Sequence, residues 1–431
     1  MVHIAGTNVS YKITLLACYV GYFVQAVNVN LVAVIFIPLR EQFGLTYAQF
    51  GTLISVNFIV QLIISISASK PLDRFGTRPF VVPSLCSCVV GLFLFAFTPA
   101  LFPGHIYPGF MASMLFIAIG GGLLELCLSP IVDAIPSGAA DSSKALSFLH
   151  SFYAWGQAAV VLLTTGLLYA GVRWSVIVML WAVIPAVDML LFSRAPIAER
   201  ATGDKALPIR KLLGMRAFVI ALIAIAFGGA VETIIAQYAS SFLERGVGLP
   251  KITGDILGLC GFAMFLGIGR LLYGVFGEKI NINAILIGGS ALAFSAYLVI
   301  ALAPADAPTA LSVAPPVIAI ALCGLFVSLL WPGTLAIASK NLPFAGASLF
   351  ALLAASGSLG CSIGPWVSGV VTDFSMRFNP GDFAFAFGGT LNPEQFGLRV
   401  GLLIAAIFPL ASLISQIVLK KITKAGGQPF Q

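Results

Sequence analysis

Polar and apolar residues do not alternate along this chain; long apolar blocks are divided by short polar joins. Twelve blocks reach the ~20 residues that an α-helix needs to cross a bilayer. They span residues 13–37, 48–68, 80–100, 110–132, 146–169, 175–192, 217–242, 255–276, 282–302, 317–337, 348–371 and 400–419. Strands of a membrane barrel would be shorter and would alternate in polarity, so the pattern predicts an all-α membrane protein with 12 transmembrane helices. The first block is too long for the core of a secretion signal and carries Gln25, Asn28 and Asn30, so it is read as a span and not as a cleaved leader. The longest join, Thr372 to Arg399, is too short for a soluble domain. The most highly charged one, Ser193 to Arg216, divides the blocks six and six. The expected organisation is therefore a bundle over 1–192, a cytoplasmic central loop over 193–216 and a second bundle over 217–431.

Composition agrees with this pattern: 59% of residues are hydrophobic, 9% are charged and the mean hydropathy is +1.03. Sixteen of the 23 lysines and arginines fall on one set of alternate joins, six on the other, and Arg270 lies within a span. Because cytoplasmic loops carry the excess of Lys and Arg, both termini are expected on the cytoplasmic side of a multi-pass protein of the cell (inner or plasma) membrane. That bias also accounts for the net charge of +7 through lipid headgroups and calls for no nucleic-acid partner. All seven cysteines fall within predicted helices, where they are expected to pack as small apolar groups without disulfides.

The two halves echo one another. GLLELCLSP (122–130) and GLFVSLLWP (324–332) both lie in the fourth span of their half, and the joins after each second span place Asp73-Arg74 opposite Glu278-Lys279. Two six-helix halves of this kind suit a secondary transporter. The segment SKPLDRFGTRP (69–79) resembles the signature loop of the major facilitator superfamily. That resemblance implies two pseudo-symmetric six-helix bundles, a binding site near the midplane and a cytoplasmic latch built on Asp73, Arg74 and Arg78. Within the superfamily, Gly122, Glu125, Ser129 and Pro130, together with LSFLHSFYAWG (146–156), resemble the fourth and fifth spans of the fucose, glucose and galactose branch. GGAVETIIAQYASSFL (228–243) is similar to the seventh span of sodium-dependent glucose transporter-like members. Where fucose symporters carry an aspartate in the first span, this chain has Val34 and Ile35 before Pro38.

Glu125 and Glu232 are the acids set well inside spans, where a charge costs about 2.5 to 3.5 kcal/mol on insertion scales. A carboxyl that is deprived of water and of a cation takes up a proton readily. Both are therefore candidates for proton coupling, with Glu125 foremost; the alternative is a carboxylate partnered between helices, and for Glu232 also a sodium ligand or a substrate acceptor. Sugars call for amides, hydroxyls and an aromatic plate. Gln25 and Asn28 share one helix face, as do His150, Tyr153 and Gln157, while Gln237 and Trp331 are the second half's candidates. Asn57 and Gln61 are expected to bond between helices, and glycines 120–122 to allow a close approach. Asp73, Arg74, Arg78 and Asp133 are read as a cytoplasmic gate, with Asp188 and Arg270 in similar structures.

These features predict a monomeric carrier that takes up a small neutral polar solute, such as a hexose, with protons. Alternatives are sodium coupling and proton-driven export of amphipathic compounds. No metal site, no cofactor beyond the coupling ion and no enzymatic activity are expected. Of three histidines only His150 lies within a span, and no nucleophile and base are spaced for catalysis.

Overall fold

The computed structural model describes residues 10–135, 139–197, 209–276, 281–303, 309–341, 346–383, 387 and 391–425. Among them there is no β-strand. A helix bonds its own backbone within one segment, which is what an apolar solvent demands.

The chain runs through α1 (Lys12–Phe43), α2 (Tyr47–Phe75), α3 (Arg78–Leu101), α4 (Ile106–Asp133), α5 (Ala139–Tyr169) and α6 (Trp174–Arg194). A short α7 (Ile209–Leu213) leads to α8 (Arg216–Ser241), which continues as a π-helical turn over Phe242–Gly246. Next come α9 (Lys251–Gly254), a second π turn (Asp255–Cys260), α10 (Gly261–Phe276), α11 (Ile282–Ala301), α12 (Ala310–Val327), α13 (Leu330–Asn341) and α14 (Gly346–Ser375). After a 3-10 turn at Pro380–Phe383, α15 (Pro393–Ala405) and α16 (Ile407–Ala425) complete the described chain. Among the described residues, 11 helical stretches are long and apolar enough to cross a membrane, and α14 covers the predicted block at 348–371.

The last block begins earlier than its hydropathy suggests. Asn392 Oδ1 accepts from the Gln395 amide at 2.8 Å and Gln395 Oε1 from the Asn392 amide at 3.1 Å. This capping box, with Pro393 in the first turn, starts α15 inside the polar join.

Two compact units emerge: Met1–Ile35 with Val56–Gly203, and Phe36–Ser55 with Asp204–Gln431. A division by sequence alone would leave 36–55 in the first. In the first unit α3 packs on α4 and α6. The α3 and α4 backbones meet closely: a Cβ at Gly91 would lie 2.7 Å from the Ile117 nitrogen, and one at Gly120 would lie 2.6 Å from the Ser84 carbonyl oxygen. Small residues at helix contacts are the usual means of such approach where lipid is the competing solvent. All seven cysteines are free, and all but Cys86 are buried.

In the second unit α8 packs on α14 and α16. The hairpin at 36–55 is held to this unit by charge and backbone. The Asp373 carboxylate on α14 accepts from the Tyr47 and Ala48 amides at 3.1 and 2.6 Å, satisfying two of the donors left open at the start of α2. Glu394 accepts from Arg40 Nε at 3.2 Å and from the Tyr47 hydroxyl at 3.0 Å. Ser55 donates to the Ser362 carbonyl at 2.7 Å.

Arg399 is 1% exposed. It donates to the carbonyls of Ala303 (2.6 Å) and Gly246 (3.2 Å), just beyond the end of α11 and at the end of the first π turn, and stacks over the Phe242 ring. Its guanidinium thus satisfies carbonyls for which no further helical amide exists.

Asp373→Ala should lower the thermal unfolding midpoint of detergent-purified protein, followed by tryptophan fluorescence, through a loss of about 1 to 2 kcal/mol. Asp373→Asn, which keeps one acceptor, should lose less; equal midpoints for wild type and Asp373→Ala would remove this anchor.

Candidate functional site

In the first unit the polar side chains of α1 and α2 form a chain of amides. Gln25 Nε2 donates to Gln61 Oε1 at 3.0 Å, Gln61 Nε2 to Asn57 Oδ1 at 2.9 Å, and Asn57 Nδ2 to the Asn28 carbonyl at 3.4 Å. Asn28 Nδ2 in turn reaches the Cys88 sulfur at 3.2 Å. Asn57 and Gln61 therefore belong to the same cluster as the predicted pair Gln25 and Asn28. Two acceptors in it, Gln25 Oε1 and Asn28 Oδ1, are buried without a hydrogen-bond partner. Buried polar atoms are seldom left so, because each costs about 1 to 3 kcal/mol.

The glycine run answers to this cluster. A Cβ at Gly121 would fall 2.9 Å from Gln25 Oε1 and 3.3 Å from Gln61 Nε2, while one at Gly122 would press on the Gln61 backbone at 3.0 Å. Glycines at these positions let α4 come up against the amides.

Three residues further along α4, Glu125 is exposed and has neither a hydrogen bond nor an ion pair among the described residues. One turn on, Ser129 shares a hydrogen bond with the Tyr22 hydroxyl at 3.2 Å. Tyr22 also meets the exposed His150 of α5 edge-on, with ring centroids 4.9 Å apart, and Tyr19 stacks on Phe152 at 4.5 Å. Tyr153 is half-buried, and its hydroxyl receives Asn30 Nδ2 at 3.4 Å. Gln157 is buried, and its Nε2 has no hydrogen-bond partner. The face of α5 predicted from spacing thus runs from exposed His150 to buried Gln157, against aromatic and amide groups of α1.

The second unit treats its acid differently. Both oxygens of Glu232 on α8 accept from Arg270 Nη2 of α10, at 2.9 and 3.1 Å. Arg270 Nε donates to the Ser328 carbonyl at 3.3 Å. That carbonyl is available because of Pro332. A proline has no amide to offer the carbonyl four residues earlier, and its ring crowds that oxygen, so the span breaks between α12 and α13 at Ser328 and Leu329. Arg270, read by sequence as part of a gate-like structure, supplies the cation of this arrangement.

Gln237 is fully buried in α8. The Trp331 ring lies over two glycines: a Cβ at Gly357 would overlap it, and one at Gly229 would stand 3.2 Å away. Of the expected gate, Arg74 and Arg78 are exposed, and the Arg74 guanidinium lies 5.2 Å from the centre of the Phe75 ring. The side chains of Asp73 and Asp133 lie outside the described residues. Among the described residues no group of three His, Cys, Asp or Glu side chains is placed to hold a metal ion.

The fold has counterparts among solved transporters. A bacterial homologue of the human lysosomal transporter Spinster, in its inward-facing and occupied conformation, is similar over 96% of this chain and 98% of its own, with a TM-score of 0.75 and 18% identity. The D-xylose-proton symporter is similar over 93% and 97%, with a TM-score of 0.68 and 16% identity. The Escherichia coli fucose:proton symporter is similar over 95% and 99%, with a TM-score of 0.63 and 18% identity. At these identities the likeness is one of fold. No curated protein sequence matches the chain. The family model of the Major Facilitator Superfamily matches residues 18–365. With nearly all of its described residues helical and that match over most of its length, this multi-pass membrane protein, a transporter and not an enzyme, belongs to the major facilitator superfamily.

Proposed function

We propose that this transporter takes up a small neutral polar solute, a hexose or a related sugar, together with protons, by alternating access. The observation that carries the reading is Glu125: an acid set well inside an apolar span, with no cation and no donor among the described residues to hold its charge. Ionised, such a group is costly in hydrocarbon; protonated, it is not. A carboxyl that exchanges its proton with each side of the membrane in turn carries protons down their gradient, and Glu125 is assigned that exchange.

The neutral, hydroxyl-bearing substrate is supported by the amides near Gly121. Unmatched acceptors at Gln25 and Asn28 and the unmatched Gln157 amide suit a ligand that both donates and accepts. Tyr153 and His150 add an aromatic edge, and Gln237 and Trp331 are the second unit's proposed contributors. Two of the structural neighbours are named as sugar:proton symporters, which agrees with the reading.

Glu232 receives a different part. Its charge is compensated by Arg270, so it serves as a fixed pair at the Pro332 break in preference to carrying a proton or a sodium ion. Asp73, Arg74, Arg78 and Asp133 are proposed as the cytoplasmic gate. The carrier is proposed to act as a monomer in the cell membrane, with 1–192 and 217–431 as its halves and both termini cytoplasmic.

Proteoliposomes given labelled sugars under separately imposed pH and sodium gradients test the whole reading. Uptake should follow the pH gradient; accumulation driven by sodium at fixed pH, or dye efflux with no sugar uptake, would overturn it. Glu125→Gln should abolish accumulation while leaving exchange of substrate across the membrane, and wild-type accumulation in this variant would remove Glu125 from coupling. For the second unit, Glu232→Gln should leave Arg270 uncompensated and lower thermal stability. The double variant Glu232→Gln with Arg270→Gln should recover part of the loss, with a coupling on the order of 1 kcal/mol; strict additivity would argue against the pair.

A further inference from the structure

The buried face of α6 repeats at helical spacing: Val178, Trp181, Pro185, Asp188 and Phe192. Its fourth member is a carboxylic acid. Asp188 is 0% exposed, and neither of its oxygens has a hydrogen-bond partner. Sequence places it, with Arg270, near the expected cytoplasmic end of its span; its side chain is fully buried on the packed face of α6.

Four helices enclose it. From α1, Gly21 leaves the room that the carboxyl fills: a Cβ there would stand 3.4 Å from Asp188 Oδ2 and 3.0 Å from both terminal carbons of Leu128, which comes from α4. The titratable groups that act on this region are thiols. Cys18 of α1 and Cys88 of α3 lie within electrostatic reach of Asp188, and Cys127 of α4 within that of Cys18. No lysine, arginine or histidine acts on Asp188 among the described residues. Cys88 already receives the Asn28 amide, so the acid stands one residue removed from the amide cluster.

An isolated carboxylate sealed among apolar side chains and thiols is too costly to keep, and such groups neutralise instead. A metal ion is not the remedy, because no set of three ligating side chains is present among the described residues. The remaining ligand is a proton.

We propose that Asp188 is a proton-binding site in the first unit, separate from Glu125, that holds its proton in this arrangement of α1, α3, α4 and α6 and releases it when those helices part enough to admit water. The site goes beyond the assignment of Glu125 and stands whether or not the substrate is a sugar. The reaction is a simple exchange: the carboxyl O–H bond breaks, the proton passes to water and the carboxylate remains, to be reprotonated when the helices close.

Infrared spectroscopy of the purified carrier in lipid, without substrate, reads this directly. Labelling all aspartates with carbon-13 at the carboxyl separates their protonated C=O band from those of glutamates. At neutral pH the wild type should show one such band that is lost in Asp188→Asn, kept in Glu125→Gln, and removed reversibly in wild type at alkaline pH. Gly21→Ser, which places a hydroxyl beside Oδ2, should shift the band and provides the same test if Asp188→Asn does not fold. Absence of an aspartic acid band at neutral pH, its persistence in Asp188→Asn, indifference to Gly21→Ser, or failure to titrate at any pH that the protein survives would each overturn the proposal. Loss of sugar uptake with the band intact would count against the transport reading alone.

Discussion

In hydrocarbon no water is at hand to satisfy a carbonyl or a charge, so every polar group that the chain takes into the membrane must find its partner within the protein. Much of the second unit can be read as a response to one such group, the Ser328 carbonyl released by Pro332. Arg270 supplies the donor, and the charge it brings is balanced by Glu232. Three helices, α8, α10 and the broken span, are thereby joined by one proline. The corresponding motif in the first half also ends in proline, yet α4 runs through Pro130 unbroken, and its acid has no cation among the described residues. The halves thus differ at this motif: the second breaks its span at Pro332, whereas the first keeps its helix whole and carries Glu125 where the second has Val327.

The amides of the first unit follow the same rule less completely. Gln25 and Gln61 each donate to the next side-chain oxygen, Asn57 donates to the Asn28 carbonyl and Asn28 to Cys88, and α4 approaches them only because it offers glycine at 121. What they leave unmatched is unusual for buried groups. A cluster whose amides are linked in a chain while two of its oxygens stay open is a sound basis for selecting a ligand by its hydroxyl pattern, because the geometry is set before the ligand arrives.

The helical architecture was legible from hydropathy because transmembrane length is a one-dimensional property. The start of α15 was less so: a capping box at Asn392 and Gln395 overrides the polarity of the segment. The pair of Glu232 and Arg270 could not be read from either residue, since their separation in sequence carries no helical periodicity and their contact is a matter of tertiary packing. Asp188 was nearer to hand. Its register with Trp181, Pro185 and Phe192 marks a buried face, but its place near the expected cytoplasmic end of its span suggested a gate. Grouping 36–55 with the second unit depends on Asp373 and Glu394, more than 300 residues along the chain from the residues they hold.

Acids also alter what the less basic set of joins offers to its surroundings. Of its six basic residues, Arg40 is taken by Glu394, Arg245 by Glu41, Lys251 by Asp255, and Arg399 is sealed against carbonyls. Among the described residues, Arg173 and Arg377 are the two exposed members of the set that form no ion pair. A count of lysines and arginines therefore overstates the free positive charge that this set of joins can present to an anionic headgroup.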